Sequence, residues 1–229
     1  SAPLGHRRGN KAGAVPSVVL PEPESRRRLQ GTLLSCALYK NQPVDGDNPP
    51  LVLLTTGPGG QFKAVLRTTE NLQASERQVS QTFGIHAADR ILATIPFHSG
   101  YGFEMAFLPA LVTGSTLCLE EEISPPRLSK LLRDQNITFW PSLAATYLSL
   151  AKMPTIRPFA IDSLRLLMAG EHLTAEMASF FKQKLGHAVL PVYRTTEAGF
   201  ISTDLSEKYP ESVGTAVSHV ELKLEDTED

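Results

Sequence analysis

From Ile91 to Val192 the chain alternates short apolar runs with longer amphipathic ones, and this alternation limits its fold more than any other feature. Strand-like runs fall at Ile91–Ile95, Ser115–Leu119, Ile137–Phe139, Leu164–Met168 and Ala188–Val192. Helix-like stretches separate them, near Phe103–Val112, at Pro126–Gln135, at Leu143–Ala151 and at Ala175–Leu185, the last closed by Gly186. That order predicts an α/β fold, a mostly parallel sheet flanked by helices. Leu143, Tyr147, Leu150 and Ala151 recur at helical spacing, with Pro141 and Ser142 as a start signal, so the stripe is expected to pack on the sheet.

Upstream the pattern is weaker. The first fifty residues are rich in Pro, Gly and Arg, with a strand expected within Ser17–Leu20 and a helix over Glu24–Leu38. Leu51–Thr55 is an apolar run ending in the Gly/Pro cluster Thr56–Gly60, as a buried strand entering a loop should be, and Asn71–Phe83 reads as a polar helix. Val220–Leu224 alternates like a half-exposed strand.

Composition removes several function classes. With 229 residues, 41% hydrophobic and 20% charged, the chain can bury a substantial core without disulfides. Its net charge of -2 argues against nucleic acid, and the basic run Arg26–Arg28 reads as a solvated helix face beside Glu22 and Glu24. Cys36 and Cys118 lack metal-ligand or redox spacing and sit among leucines, so both are expected to be buried thiols. No run is long enough for a membrane span and Ser1–Asn10 lacks a signal peptide's apolar core, which makes the cytoplasm the expected compartment.

The segment from Leu54 to Val65 has the makings of a phosphate cradle: hydroxyl side chains at Thr55 and Thr56, glycines at 57, 59 and 60, and a cation at Lys63. It is not a Walker loop, because Phe62 precedes Lys63 and Ala64 follows it, leaving no hydroxyl for magnesium. Nor is it a dinucleotide fingerprint, since Phe62 stands where a third glycine is needed.

Three further segments follow in order. Ile95-Pro96-Phe97-His98-Ser99-Gly100 places a lone histidine after a strand. Leu164–Leu173, containing Ala169-Gly170-Glu171, is followed by Pro191–Gly199, containing Tyr193-Arg194-Thr195-Thr196-Glu197. Together with the Thr55–Val65 loop and its tail Thr68-Thr69-Glu70-Asn71-Leu72, they resemble the adenylate-forming (AMP-binding) superfamily, which includes acyl-CoA ligases and peptide-synthetase adenylation domains. Glu211–Leu222 resembles that family's approach to its small β subdomain.

The resemblance implies activation of a carboxylic acid as its acyl-AMP with ATP and Mg2+, then transfer to CoA or to the phosphopantetheine arm of a carrier protein. It implies that Thr55, Thr56, Gly57 and Gly60 wrap the β- and γ-phosphates beside Lys63, and that His98 gates the acyl pocket. Ala169, Gly170 and Glu171 would present backbone to the adenine, Tyr193 would lie against its ring, Thr196 would donate to a phosphate and Glu197 would hold the metal. Thr196 and Glu197 would share the catalytic role with Lys63 and His98. The partners implied are a small carboxylic acid and, where the thiol is a phosphopantetheine arm, a carrier protein, with no nucleic acid and no membrane span. Ala169-Gly170-Glu171 and Thr195-Thr196-Glu197 lean toward peptide-synthetase domains, and His98 toward acyl-CoA ligases.

This sequence departs from the pattern at Pro58 and Gly59, where hydroxyl residues are usual, at Phe62 and Ala64, and at Arg194, where glycine is usual. Two lost hydroxyl donors would weaken ATP binding by about 1–3 kcal/mol if those groups reach phosphate. Arg194 is expected to restrict the backbone and partly fill the adenine slot. The expected organisation is an incomplete first subdomain over 1–72, an α/β subdomain over 73–215 and the start of a β subdomain over 216–229. The family's ribose-binding aspartate, hinge and mobile C-terminal domain have no counterpart here, so this stretch is not expected to turn over alone. A non-catalytic nucleotide-binding or scaffold relative with a degenerate phosphate loop stays open, as does an oxygenase on the same fold.

Overall fold

A computed structural model describes residues 18–19, 51–56 and 62–223, with only the backbone given for Val18, Val19, Thr56, Phe62 and Lys63. The expected helix over Glu24–Leu38, Cys36 and the loop glycines 57 and 60 lie outside the described residues. The strands are β1 (Val18–Val19), β2 (Leu51–Thr56), β3 (Phe62–Arg67), β4 (Arg90–Ala93), β5 (Thr116–Leu119), β6 (Phe139–Ser142), β7 (Arg165–Met168), β8 (Val189–Thr195), β9 (Gly199–Thr203) and β10 (Thr215–Ala216). The helices are α1 (Thr69–Phe83), α2 (Gly100–Gly102), α3 (Leu108–Thr113), α4 (Pro125–Asp134), α5 (Ala144–Ala151) and α6 (Ala175–Leu185), with a π-helical segment, Phe103–Phe107, joining α2 to α3.

Eight strands form one sheet in the order β1-β5-β4-β6-β7-β8-β9-β10. Pairing is parallel from β1 through β8, and β9 and β10 add antiparallel. Strand residues alternate between two cores, as the period of two requires. Leu92, Cys118, Trp140, Leu166 and Met168 face one core with Leu128 and Leu132 of α4, Tyr147 and Leu150 of α5 and Phe181 of α6. Ile91, Ala93, Leu117, Phe139 and Leu167 face the other with Val79 and Phe83 of α1, Tyr101, Met105 and Ala110. The result is the expected α/β sheet covered on both faces.

Several boundaries differ from expectation. Leu51–Thr55 is not a strand of the main sheet: β2 pairs with β3 in a separate antiparallel hairpin, with Leu53 buried and Val52 and Leu54 exposed. An apolar run cannot by itself distinguish the two settings. The strand expected at Ile137–Phe139 runs instead over Phe139–Ser142, with Pro141 inside it, so Pro141 does not start α5 and Leu143, the N-cap, is exposed. Proline removes a ladder donor, and two buried phenols bridge the gap. The Tyr147 hydroxyl lies 2.6 Å from the Trp140 carbonyl, 3.1 Å from that of Leu167, and accepts from the Leu167 N–H at 3.2 Å. The Tyr101 hydroxyl is shared between the Ser142 and Leu167 carbonyls at 3.2 and 3.1 Å. Of the strand expected at Val220–Leu224, the described residues Val220–Lys223 form none, and the last strand among the described residues is Thr215–Ala216.

Candidate active site

The parallel strands β4, β6, β7 and β8 end on one edge of the sheet, the position where open α/β sheets place ligand crevices, and the loops after β4, β7 and β8 carry His98, Ala169–Glu171 and Thr196–Glu197. His98 lies exposed in the loop after β4, one residue before Ser99, whose hydroxyl caps α2 by accepting from the Tyr101 N–H. Buried Ala169 and exposed Gly170 and Glu171 follow β7, with Gly170 turning at φ 86. Tyr193, 45% exposed, lies within β8. Thr196 and exposed Glu197 sit in the turn to β9, where the Thr195 hydroxyl accepts from the Ala198 N–H at 3.0 Å. The strand was expected to end at this motif; instead β8 runs to Thr195 and turns back as β9.

Thr55 is half-buried near the tip of the β2–β3 hairpin, opposite Lys63, and Thr56 pairs with Phe62. The hairpin meets the β8–β9 turn at its base. Arg67, at the end of β3, donates from Nη1 to the carbonyl of Glu197 at 2.6 Å. Beside it, Gly100 presses against Leu53 of β2 and the guanidinium of Arg194, whose Nη2 lies 3.0 Å from the position of a Cβ built on Gly100.

Arg194 corrects one expectation. It does not occupy a left-handed position, so no glycine freedom is lost there. Its side chain turns inward, next to a register shift at Tyr193/Arg194, and pairs with Glu104 at 3.2 Å. Bulges of this kind re-aim side chains. The Glu104 carboxylate, 1% exposed, also takes Arg67 at 3.2 Å and the Ser75 hydroxyl at 3.2 Å. Sequence reading missed Arg67 and Glu104. A lone carboxylate between Phe103 and the apolar run Met105-Ala106-Phe107 was the available signal, because such a charge needs a buried partner.

No group of three or more His, Cys, Asp or Glu among the described residues could form a metal cage. A single carboxylate such as Glu197 instead fits a Mg2+ carried mainly by nucleotide phosphates, the usual way that ion is held. A groove lined by Ala178, Lys182, Leu190, Asp204 and Glu207 contains none of the predicted residues.

Residues 8–229 match the family described as AMP-binding enzyme. The chain belongs to that family. It is 28% identical over 185 residues to 4-coumarate–CoA ligase CCL1 of Humulus lupulus, covering 75% of this chain and 34% of that protein. It is 24% identical over 193 residues to indoleacetate–CoA ligase of Aromatoleum aromaticum, covering 82% and 38%. ATP-bound MatB from Rhodopseudomonas palustris superposes with TM-score 0.68 at 18% identity, over 88% of this chain and 45% of that one. O-succinylbenzoate CoA synthetase (MenE) from Bacillus subtilis, in complex with ATP and magnesium ion, gives 0.67 at 24% identity, over 76% and 37%. The chain thus spans about a third of the length of these curated relatives. Among its described residues no helix is long and apolar enough to cross a membrane.

Proposed function

We propose that the full-length protein activates a small carboxylic acid as its acyl-adenylate and passes the acyl group to a thiol. The observation that carries this reading is the bond from Arg67 to the Glu197 carbonyl, which joins the hairpin of the phosphate-loop sequence to the turn bearing Thr196 and Glu197. A carboxylate oxygen of the acid attacks the α-phosphorus of ATP, the bond to the bridging oxygen breaks, and pyrophosphate leaves. A thiolate then attacks the acyl carbonyl and AMP leaves. The thiol belongs to CoA or to a carrier protein's phosphopantetheine arm, and the CoA ligases among the relatives favour CoA.

In this scheme Tyr193 lies against the adenine, and the backbone of Ala169, Gly170 and Glu171 borders it. Thr55, Thr56, Gly57 and Gly60 surround the β- and γ-phosphates, with Lys63 as their cation. Thr196 donates to the phosphate under attack and Glu197 holds the metal. His98, exposed after β4, gates the acid's entry. Bound Mg2+ spreads the charge that develops on the phosphoryl oxygens.

The test is acid-dependent release of pyrophosphate by the full-length protein across a panel of aromatic, short-chain and dicarboxylic acids, with hydroxylamine trapping the acyl group. A hydroxamate formed with at least one acid supports the enzyme. ATP binding with no pyrophosphate release from any acid supports instead a nucleotide-binding scaffold whose loop has lost its hydroxyls at Pro58 and Gly59.

A further inference from the structure

Arg67 and Glu104 belong to none of the sequence motifs and Arg194 departs from one, yet the three form a cluster that holds the β8–β9 turn at two points and packs against it at a third. Arg67 holds the Glu197 carbonyl at 2.6 Å. Arg194 ties the strand entering the turn to Glu104. At the exit, a Cβ on Gly199 would lie 2.9 Å from Arg67 Nη2, 3.2 Å from the Ser75 hydroxyl and 3.4 Å from Glu104 Oε2. Resting on the function proposed above, we propose that Arg67, backed by Glu104 and Arg194, is a positioning residue that sets where the Glu197 backbone sits relative to β3, and so where its carboxylate meets a metal-bound nucleotide.

The cluster is poorly built for stability alone. Taking charges out of water costs several kcal/mol per ion, roughly, and good pairing is needed to recover it. Here two guanidinium groups share one carboxylate, Oε1 of Glu104 meets Arg67 as an ion pair at 3.2 Å, and Nε of Arg67 and Nε of Arg194 have no hydrogen-bond partner. Buried groups left in this state call for a reason beyond packing. Glu104 also lies in the π-helical segment, where the Leu108 N–H reaches back to the Phe103 carbonyl. Pro109 follows without an N–H of its own. A widened turn ahead of a proline removes the clash with the preceding carbonyl, and such segments concentrate at functional sites.

The test uses the full-length protein with Arg67→Met, Arg67→Lys and Glu104→Gln. Calorimetric ATP affinity is measured with and without Mg2+, and hydrogen exchange is followed over residues 193–203. Arg67→Met is expected to weaken Mg2+-dependent ATP binding about 10–100-fold, as loss of an outer-shell partner does, while leaving metal-free binding unchanged and speeding exchange in the turn. Arg67→Lys, which reaches one acceptor but lacks the planar fork, should recover part of the affinity. Glu104→Gln preserves shape and should shift both readouts the same way even if Arg67→Met does not fold. Wild-type exchange rates in the turn of the folded variants, or equal losses of affinity with and without Mg2+, would overturn the proposal. A wild-type protein that binds no ATP would sink the function instead, and the exchange rates would still decide whether Arg67 clamps the turn.

Discussion

Arg67 and Glu197, 130 positions apart, meet through a 2.6 Å hydrogen bond from a buried guanidinium to a backbone carbonyl. The contact places the base of the β2–β3 hairpin against the β8–β9 turn.

Gly199 should be among the least replaceable glycines. It adopts φ 78, and a side chain there would meet Arg67 at 2.9 Å. Gly170, at φ 86, has nothing within 4 Å. Gly170→Ala should therefore cost only the left-handed conformation, about 1–2 kcal/mol. Gly199→Ala should cost at least about 1 kcal/mol more through overpacking. Urea denaturation of the two variants measures the difference, and equal losses would show that the charge cluster yields freely.

Tyr101 and Tyr147 should make the fold alkali-sensitive. Burial raises both phenols well above the usual tyrosine range, opposed for Tyr101 by nearby Arg194. The unfolded chain then loses these protons at a lower pH than the folded one. Their stabilisation is complete below pH about 10 and falls as pH rises toward the folded values, by about 1.4 kcal/mol per pH unit for each phenol. Tyr147→Phe should cost about 1–3 kcal/mol at neutral pH by stranding the groups it bridges, and it should flatten the alkaline limb of a stability-against-pH curve.

Asp204 should act at the opposite end of the pH scale. Burial works against its charge, but hydrogen bonds from the Ser206 hydroxyl, the Ser206 N–H and the Tyr209 N–H hold it below the usual carboxylate range. Its contribution is present above the unfolded value, about 4, and is lost as pH falls through the lower folded value. Asp204→Asn turns an amide nitrogen toward one of those donors and should lower stability at pH 7 by about 1 kcal/mol. The gap from wild type should close in acid, as denaturation at several pH values would reveal.

Much of the sheet was legible because buried parallel strands leave short apolar runs between periodic helices. Ala175–Leu185 is a helix over the expected residues, and Gly186 caps it at φ 85. β6 was misplaced because Pro141 signals a helix start; only the folded chain shows the two tyrosines that make a proline tolerable in an interior strand. β3 was missed because the Gly/Pro cluster after β2 reads as a phosphate loop as readily as a hairpin turn, and β9 because Thr196-Glu197-Ala198 after β8 holds no Gly or Pro turn pair. The candidate residues could be named from motif order, and Arg194 stood out as an exception. Its role could not be read, because Arg67 and Glu104 lie 127 and 90 positions away and nothing local in the sequence pairs them.

The most direct measurement is acid-dependent exchange of labelled pyrophosphate into ATP by the full-length protein and by its Glu197→Ala variant, with the fold of both verified by circular dichroism. Exchange by the wild type that falls about 100-fold or more in the variant is the predicted result, matching the loss of a group that stabilises transition-state charge. Undiminished exchange in a folded Glu197→Ala protein, or no exchange by the wild type with any acid, would contradict the account.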